Sequence, residues 1–168
     1  GVSFEGSTSY HRLVTEMFLS SAVLCRLNDI PVPDAVLERL ALMLDVIGSL
    51  TKTDGTVPLF GDGDNGRLHR LTTHQDPARE WTDFRSLMAS GAVLLQRDDL
   101  AQQAGDQWVD AFWILGPRAV KYKEDENRRR SVWPQATSRA FPDGGLYVMH
   151  HQDLYMAIDA GPNGQGGK

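Results

Sequence analysis

The stretch PDGGLYVMHHQDLYMAI, residues 142–158, decides the fold class, because it has the pattern of strands in a chain that is otherwise typical of helices. Two short runs rich in β-formers, 146–149 and 154–158, flank the polar turn Gln152-Asp153 and predict a β-hairpin. Pro142-Asp143-Gly144 supplies a turn before the first run. The sequence therefore predicts that a β-domain starts within residues 137–168.

The residues before this stretch predict helices. Apolar residues recur at three- and four-residue spacing over 8–28 and over 33–51. A third helix is predicted to start after Asp76-Pro77, a cap followed by proline, with Trp81, Phe84, Leu87, Met88, Ala92 and Leu95 along one side. A fourth is predicted from about 98 to 115. We expect a mainly α protein with a C-terminal β segment: a helical part at 1–116 and a polar linker at 117–136. The predicted apolar face of the first helix comprises Tyr10, Leu13, Val14, Met17, Phe18, Leu24 and Cys25.

Composition excludes several classes of protein. The net charge of −5 argues against a nucleic-acid binder, which needs a basic face. No run approaches the ~18 apolar residues of a membrane helix, so we expect no membrane partner. The single cysteine, Cys25, is predicted to be buried and cannot form an internal disulfide. The chain starts at Gly1 without Met and stops in a glycine-rich stretch, so we expect a piece of a longer protein.

A first candidate site is the segment 5–11, EGSTSYH. It gathers a carboxylate, hydroxyls, a phenol and an imidazole at a helix start, where free N–H groups favour anions. The alternative is that Ser7 is only a helix cap and Tyr10 only a core residue.

A second candidate site is the loop 52–78, which breaks all periodicity. Loops of this length in a compact domain are usually functional or disordered, and here we favour a functional one. Its side chains Arg67, His69, Arg70 and His74 form a local basic cluster in an acidic chain. A guanidinium matches a carboxylate or sulfate, so Arg67 is the best candidate for a substrate contact. The alternative is a salt bridge from Arg67 to Asp62 or Asp64 that only holds the loop.

Three segments carry a resemblance to a known family. Residues 5–11 resemble the Glu-x-Ser-x-x-Tyr-His stretch of heparinase II/III-like and alginate-lyase-like polysaccharide lyases. Residues 54–67 resemble that family's Asp-Gly…Pro…Gly-Asp-x-Asp-x-Gly-Arg loop. Residues 141–145 and 159–162 resemble the segment that enters its β-sandwich. The motifs occur in the family's order and span nearly the whole chain.

The resemblance implies a fold and a reaction. The fold would be part of an incomplete (α/α) toroid followed by the first strands of an antiparallel β-sandwich. The parent protein would be a lyase that cleaves uronic-acid-containing polysaccharide, such as alginate or a glycosaminoglycan, by β-elimination. Its partner would be that acidic polysaccharide, and it would be periplasmic or secreted. The other hypotheses are a non-catalytic acidic-glycan-binding protein and a helical interaction scaffold.

The reaction assigns roles to residues of the first two segments. A lyase must neutralise the uronate carboxylate, remove the C5 proton and protonate the leaving oxygen. By the resemblance, Tyr10 is the catalytic base, acid or both. A tyrosine pKa of about 10 makes it a poor base unless cations stabilise the phenolate. His11 points roughly 100° away from Tyr10 on a helix, and its alternative role is structural. The predicted substrate-binding residues are Arg67, Asp62, Asp64, His11 and Glu5.

No metal or cofactor is predicted within the chain. Asp62-x-Asp64-x-Gly66 departs from the EF-hand pattern, because the position of the bidentate Glu falls on Thr73. His150 and His151 are adjacent on a predicted strand and face opposite ways. The family's histidine-rich metal motif would lie beyond residue 168, and its upstream asparagine-histidine pair is not in this sequence. We therefore expect the 168-residue chain alone to be inactive.

Overall fold

The computed structural model describes residues 2, 6–63, 66–71, 76–125 and 137–161. These ranges are mostly helical and end in a three-stranded antiparallel sheet. The helices are α1 (Thr8–Leu27), α2 (Asp34–Leu50), α3 (Pro77–Thr82), α4 (Arg85–Leu95), α5 (Asp98–Ala104), α6 (Val109–Leu115) and α7 (Pro117–Glu124). The strands are β1 (Arg139–Phe141), β2 (Leu146–His151) and β3 (Leu154–Asp159), with a 3-10 turn at Pro142–Gly144 between β1 and β2.

The first two helices confirm their predictions to within a residue or two at each end. The hydroxyl of Ser7 caps α1 by accepting from the backbone N–H of Tyr10 (3.2 Å). Pro33 precedes α2, and Asp34 lies in its first turn, where a carboxylate complements the helix dipole. These local signals are strong because cap, apolar spacing and stop agree.

The predicted third and fourth helices were wrong in length, because each is broken into two. Asp83 ends α3, and its carboxylate accepts from the backbone N–H of Arg85 (3.0 Å) at the start of α4. Gly105, with φ of +58°, ends α5 before α6 begins. Apolar spacing runs through both breaks, so periodicity alone does not show them.

The predicted linker at 117–136 was wrong in its first part, which is helix α7. Pro117 occupies the first turn, where its missing N–H costs nothing. Ala119 and Tyr122 are buried three residues apart on an otherwise polar helix. Two buried positions among charged ones make a weak sequence signal. Residues 126–136 lie outside the described part of the chain.

The sheet confirms the predicted hairpin and shares a core with the helices. Its order is β1-β2-β3, with Met149 opposite Met156 in the hairpin. Leu146 and Val148 of β2 are buried within the same apolar cluster as the helices. The Tyr155 hydroxyl also donates to the Leu50 carbonyl (2.9 Å) at the end of α2. The hairpin is therefore fixed against the helical part.

Helix α1 has the opposite orientation to the one predicted. Met17 and Phe18, placed on its apolar face, are each 50% exposed, and Leu24 is 63% exposed. Cys25 is only half-buried. Arg12 and Glu16 lie instead on the buried side, where they join a charge network described below. None of the helices in the described ranges is long and apolar enough to span a membrane.

Candidate functional site

The start of α1 and the loop after α2 lie against each other. The backbone N–H of Thr8 donates to the Phe60 carbonyl (3.2 Å), and the Phe60 N–H donates to the Thr8 hydroxyl (3.0 Å). The Ser7 hydroxyl donates to the carbonyl of Asp62 (2.9 Å), 55 residues away. Two of the three motif segments therefore meet at the N-terminus of α1.

Glycines make this close approach possible. A Cβ on Gly61 would lie 2.9 Å from the carbonyl oxygen of Gly6, and one on Gly66 would lie 3.2 Å from that of Ser9. Gly6 and Gly61 both have φ of +66°, a region that L side chains rarely adopt. The structure therefore explains the glycines of both motifs, because they let the two backbone segments come into contact.

The third motif segment reaches the same place. A cavity of about 30 Å³ is lined by Gly6, Ser7 and Phe60, and by Gly144 and Asp159 from the sheet end. We call this convergence the motif junction: residues 6–11, 57–62, 144–146 and 159–161. The cavity holds little more than one water, so a sugar would have to lie on the surface of the junction.

Tyr10 and His11 differ in their surroundings. Tyr10 is half-buried in the first turn of α1. His11 is 4% exposed, and its Nε2 donates to the carbonyl of Met43 (3.0 Å). Burial lowers the pKa of His11, so the ring is neutral near pH 7. These contacts favour the structural interpretation of His11, and its substrate role stays a prediction.

Arg67 lies inside the protein, in what we call the buried charge network: Arg12, Glu16, Arg67 and Asp110. Its side chain is 2% exposed, and its Nη2 is 3.2 Å from Oδ2 of Asp110 on α6. The nearest other carboxylate found is that of Glu80, at 4.0 Å. A substrate contact by Arg67 is therefore not available in this conformation. We therefore favour the alternative interpretation, in which an ion pair of Arg67 holds the loop. Its acceptor is Asp110, whereas the prediction named Asp62 or Asp64.

The network also fixes the loop to α1. Nε of Arg12 donates to Oε1 of Glu16 (2.9 Å), and Oε2 of Glu16 accepts from the backbone N–H of Leu68 (2.6 Å). The Arg12 guanidinium lies 4.5 Å above the ring of Phe84. Burial lowers the pKa of Arg12, and the carboxylate of Glu16 opposes that shift. Nothing in the sequence analysis singled out Arg12, Glu16 or Asp110; the four-residue spacing of Arg12 and Glu16 was the one available signal.

The other predicted site residues are placed as follows. Asp62 is exposed, and its backbone carbonyl accepts from Ser7. His69 of the basic cluster is hydrogen-bonded to the Ser20 hydroxyl (2.7 Å). Glu5, Asp64 and His74 lie outside the described residues. In the described ranges, no three His, Cys, Asp or Glu side chains are grouped as a metal site would require.

One large cavity lies away from the motif junction. It has a volume of about 720 Å³ and is lined by the end of α2, by α5 and by the hairpin turn. Arg97 in its wall is paired with both Asp45 and Asp99, which hold its pKa above the ordinary arginine value. Residues 52–55 of the candidate loop line this cavity, whereas Tyr10, His11, Asp62 and Arg67 do not.

Comparison with known proteins adds no assignment. No protein-family model, no curated protein and no solved structure matches this chain. The resemblance to polysaccharide lyases therefore depends on the motif residues themselves, and the geometry of the motif junction is the independent observation beside it.

Proposed function

We propose that this chain is part of a lyase that cleaves uronic-acid-containing polysaccharide by β-elimination. One observation carries the proposal: parts of the three segments that resemble family motifs, 5–11, 54–67 and 141–145 with 159–162, lie together at the motif junction although the chain separates them widely. The protein would be periplasmic or secreted, because it meets its polymer outside the cytoplasm.

In this proposal Tyr10 transfers the proton. It is half-buried in the first turn of α1, at the edge of the junction, and the proposal places a sugar against its hydroxyl at the surface. A phenol near neutral pH is protonated and suits the role of acid toward the leaving oxygen. To act as base it needs a cation near the phenolate. The positive end of the α1 dipole favours negative charge at this position.

Neutralisation of the substrate carboxylate would come from residues of the longer protein. Arg67, the cation predicted for that task, is engaged by Asp110. The family's asparagine-histidine pair and its divalent-metal motif are not in this sequence. The proposal therefore assigns to this chain the proton-transferring tyrosine and part of the cleft wall.

The burial of Arg67 also favours a second candidate function, an acidic-glycan-binding protein without turnover. β-Elimination requires that the charge of the substrate carboxylate be neutralised, so that the C5 proton can be removed. Binding without turnover does not require this neutralisation. Exposed Asp62 and half-buried Tyr10 could still contact sugar hydroxyls.

A substrate screen separates the two. A polypeptide that contains this chain and extends it in both directions is incubated with alginate, heparin, heparan sulfate and hyaluronan. Ultraviolet absorbance measures the unsaturated uronate, and calorimetry measures binding. Turnover of one polymer is the expected result and names the substrate class. Binding without turnover supports the second candidate, and neither turnover nor binding on any polymer contradicts both.

A further inference from the structure

A second cavity lies between the end of α1, the end of α4 and helix α7. Its volume is about 340 Å³, near the lower end of small-molecule sites. It is on a different part of the surface from the motif junction, and no residue lines both. The residue types around it divide into an apolar floor and a charged rim. We call it the α1–α7 pocket.

The floor is built from the protein core. Val23, Leu94 and Leu115 line it and are 3%, 3% and 7% exposed. Tyr122 forms one wall, and its hydroxyl donates to the carboxylate of Asp98 (2.9 Å). These side chains are held by core packing, so the floor is preformed.

The rim is basic in an acidic chain. Among the described residues, Arg26, Arg118 and Lys121 line it, against one carboxylate, Asp125. Arg26 is anchored, because its Nη1 donates to the Leu94 carbonyl (2.6 Å). Arg118 and Lys121 lie three residues apart on α7, so both project to the same side of the helix. Neither side chain forms an ion pair or hydrogen bond with the described residues.

We propose that the α1–α7 pocket binds an organic monoanion with an apolar body, such as an aromatic or branched-chain carboxylate. The carboxylate would lie among Arg26, Arg118 and Lys121, where an arginine can donate two parallel hydrogen bonds to it. The apolar body would pack against Val23, Leu94 and Leu115, and the surface removed from water would be mainly that of the ligand. The volume admits one ring or a short branched chain and excludes a polymer from the floor. This inference is independent of the lyase proposal.

The test is an NMR titration of the isotope-labelled 168-residue chain at low salt. Benzoate is the probe, benzyl alcohol is its uncharged counterpart, and inorganic sulfate is an anion without an apolar body. The site variant is Arg118→Gln with Lys121→Gln, which removes two exposed charges without disturbing the floor. The matched control is Arg39→Gln with Arg139→Gln, which removes two exposed charges that do not line the pocket.

The expected result is saturable benzoate binding, on the order of millimolar for so small a ligand, with shifts in the amides of α7 and of residues 93–96. The site variant should weaken it about tenfold, as two partly exposed ion pairs allow, and the control variant should not. Benzyl alcohol and sulfate should each bind at least about tenfold more weakly. Equal binding by the site variant, equal binding of benzyl alcohol, or shifts confined to other residues would each overturn the proposal.

Discussion

Removing the carboxylate of Asp110 tests the buried charge network. Asp110 and Arg67 side chains are 5% and 2% exposed, and their closest atoms are 3.2 Å apart. Truncation leaves the guanidinium buried, with Glu80 at 4.0 Å as its remaining carboxylate among the described residues. Two of its nitrogens, Nε and Nη1, already lack an acceptor. Breaking a buried pair in this way costs about 3–5 kcal/mol, so Asp110→Ala should lower the free energy of unfolding by that amount.

Urea unfolding followed by tryptophan fluorescence measures the loss. With a slope of about 1–3 kcal/mol per molar urea, the midpoint should fall by more than about 1 M at unchanged slope. Hydrogen exchange should rise at residues 66–71, which the network fixes to α1. The control is Asp106→Ala: Asp106 is 82% exposed and 3.7 Å from Arg85, so its loss should stay within about 0.5 kcal/mol. A loss below about 1 kcal/mol for Asp110→Ala, or one equal to the control, would refute the reasoning.

Three further changes test other parts of the structure. Burial lowers the pKa of His11, so below about pH 6.5 the unfolded state takes up a proton that the folded state does not. Stability should therefore fall on acidification through that range, and His11→Gln should reduce the slope measured by urea titrations at several pH values. Tyr155→Phe should lower the free energy of unfolding by about 1 kcal/mol, because the Leu50 carbonyl loses its donor. Burial raises the pKa of Tyr155 to about 12, so the ultraviolet titration of the variant should lack the transition of that phenol. Gly61→Ala should lower the free energy of unfolding by at least about 1–2 kcal/mol, because residue 61 has a positive φ and the new Cβ would overlap the Gly6 carbonyl oxygen. An unchanged thermal unfolding curve would contradict the close approach of the two backbones.

Local signals predicted those elements that have unambiguous boundaries. Helices α1 and α2 and the hairpin combine regular apolar spacing with caps or turn residues at both ends. The helix breaks at Asp83 and Gly105 fall where the apolar spacing continues. The spacing therefore predicted a single helix in each place where the structure has two. Helix α7 was missed because most of its surface is solvated and only two of its residues, Ala119 and Tyr122, are buried.

The orientation of α1 could not be predicted from its own residues. Periodicity places the apolar side toward the core, whereas the structure buries Arg12 and Glu16. Their burial depends on residues distant in the chain: the backbone N–H of Leu68, 52 residues from Glu16, and the Arg67–Asp110 pair. A buried charge is stable only where such partners meet it, and their meeting is a property of the tertiary structure.

The candidate site was predictable in part. Short glycine-rich motifs marked the segments that converge, because close backbone contact needs glycine at particular positions. The contacts of the individual side chains were harder to predict from the sequence. Arg67 stood out as a cation near acids, but which carboxylate it meets depends on the placement of α6. His11 stood out beside Tyr10, and its burial against Met43 depends on the packing of α2.

The most direct test of the proposed function is Tyr10→Phe in the longer polypeptide, assayed on whichever uronan the parent binds. Tyr147→Phe, at a 38% exposed tyrosine on the sheet, is the matched control. The account predicts that Tyr10→Phe abolishes formation of unsaturated uronate while binding and thermal stability stay close to those of the unsubstituted protein, and that Tyr147→Phe keeps full activity. Undiminished turnover by a folded Tyr10→Phe protein would contradict the assignment of proton transfer to Tyr10.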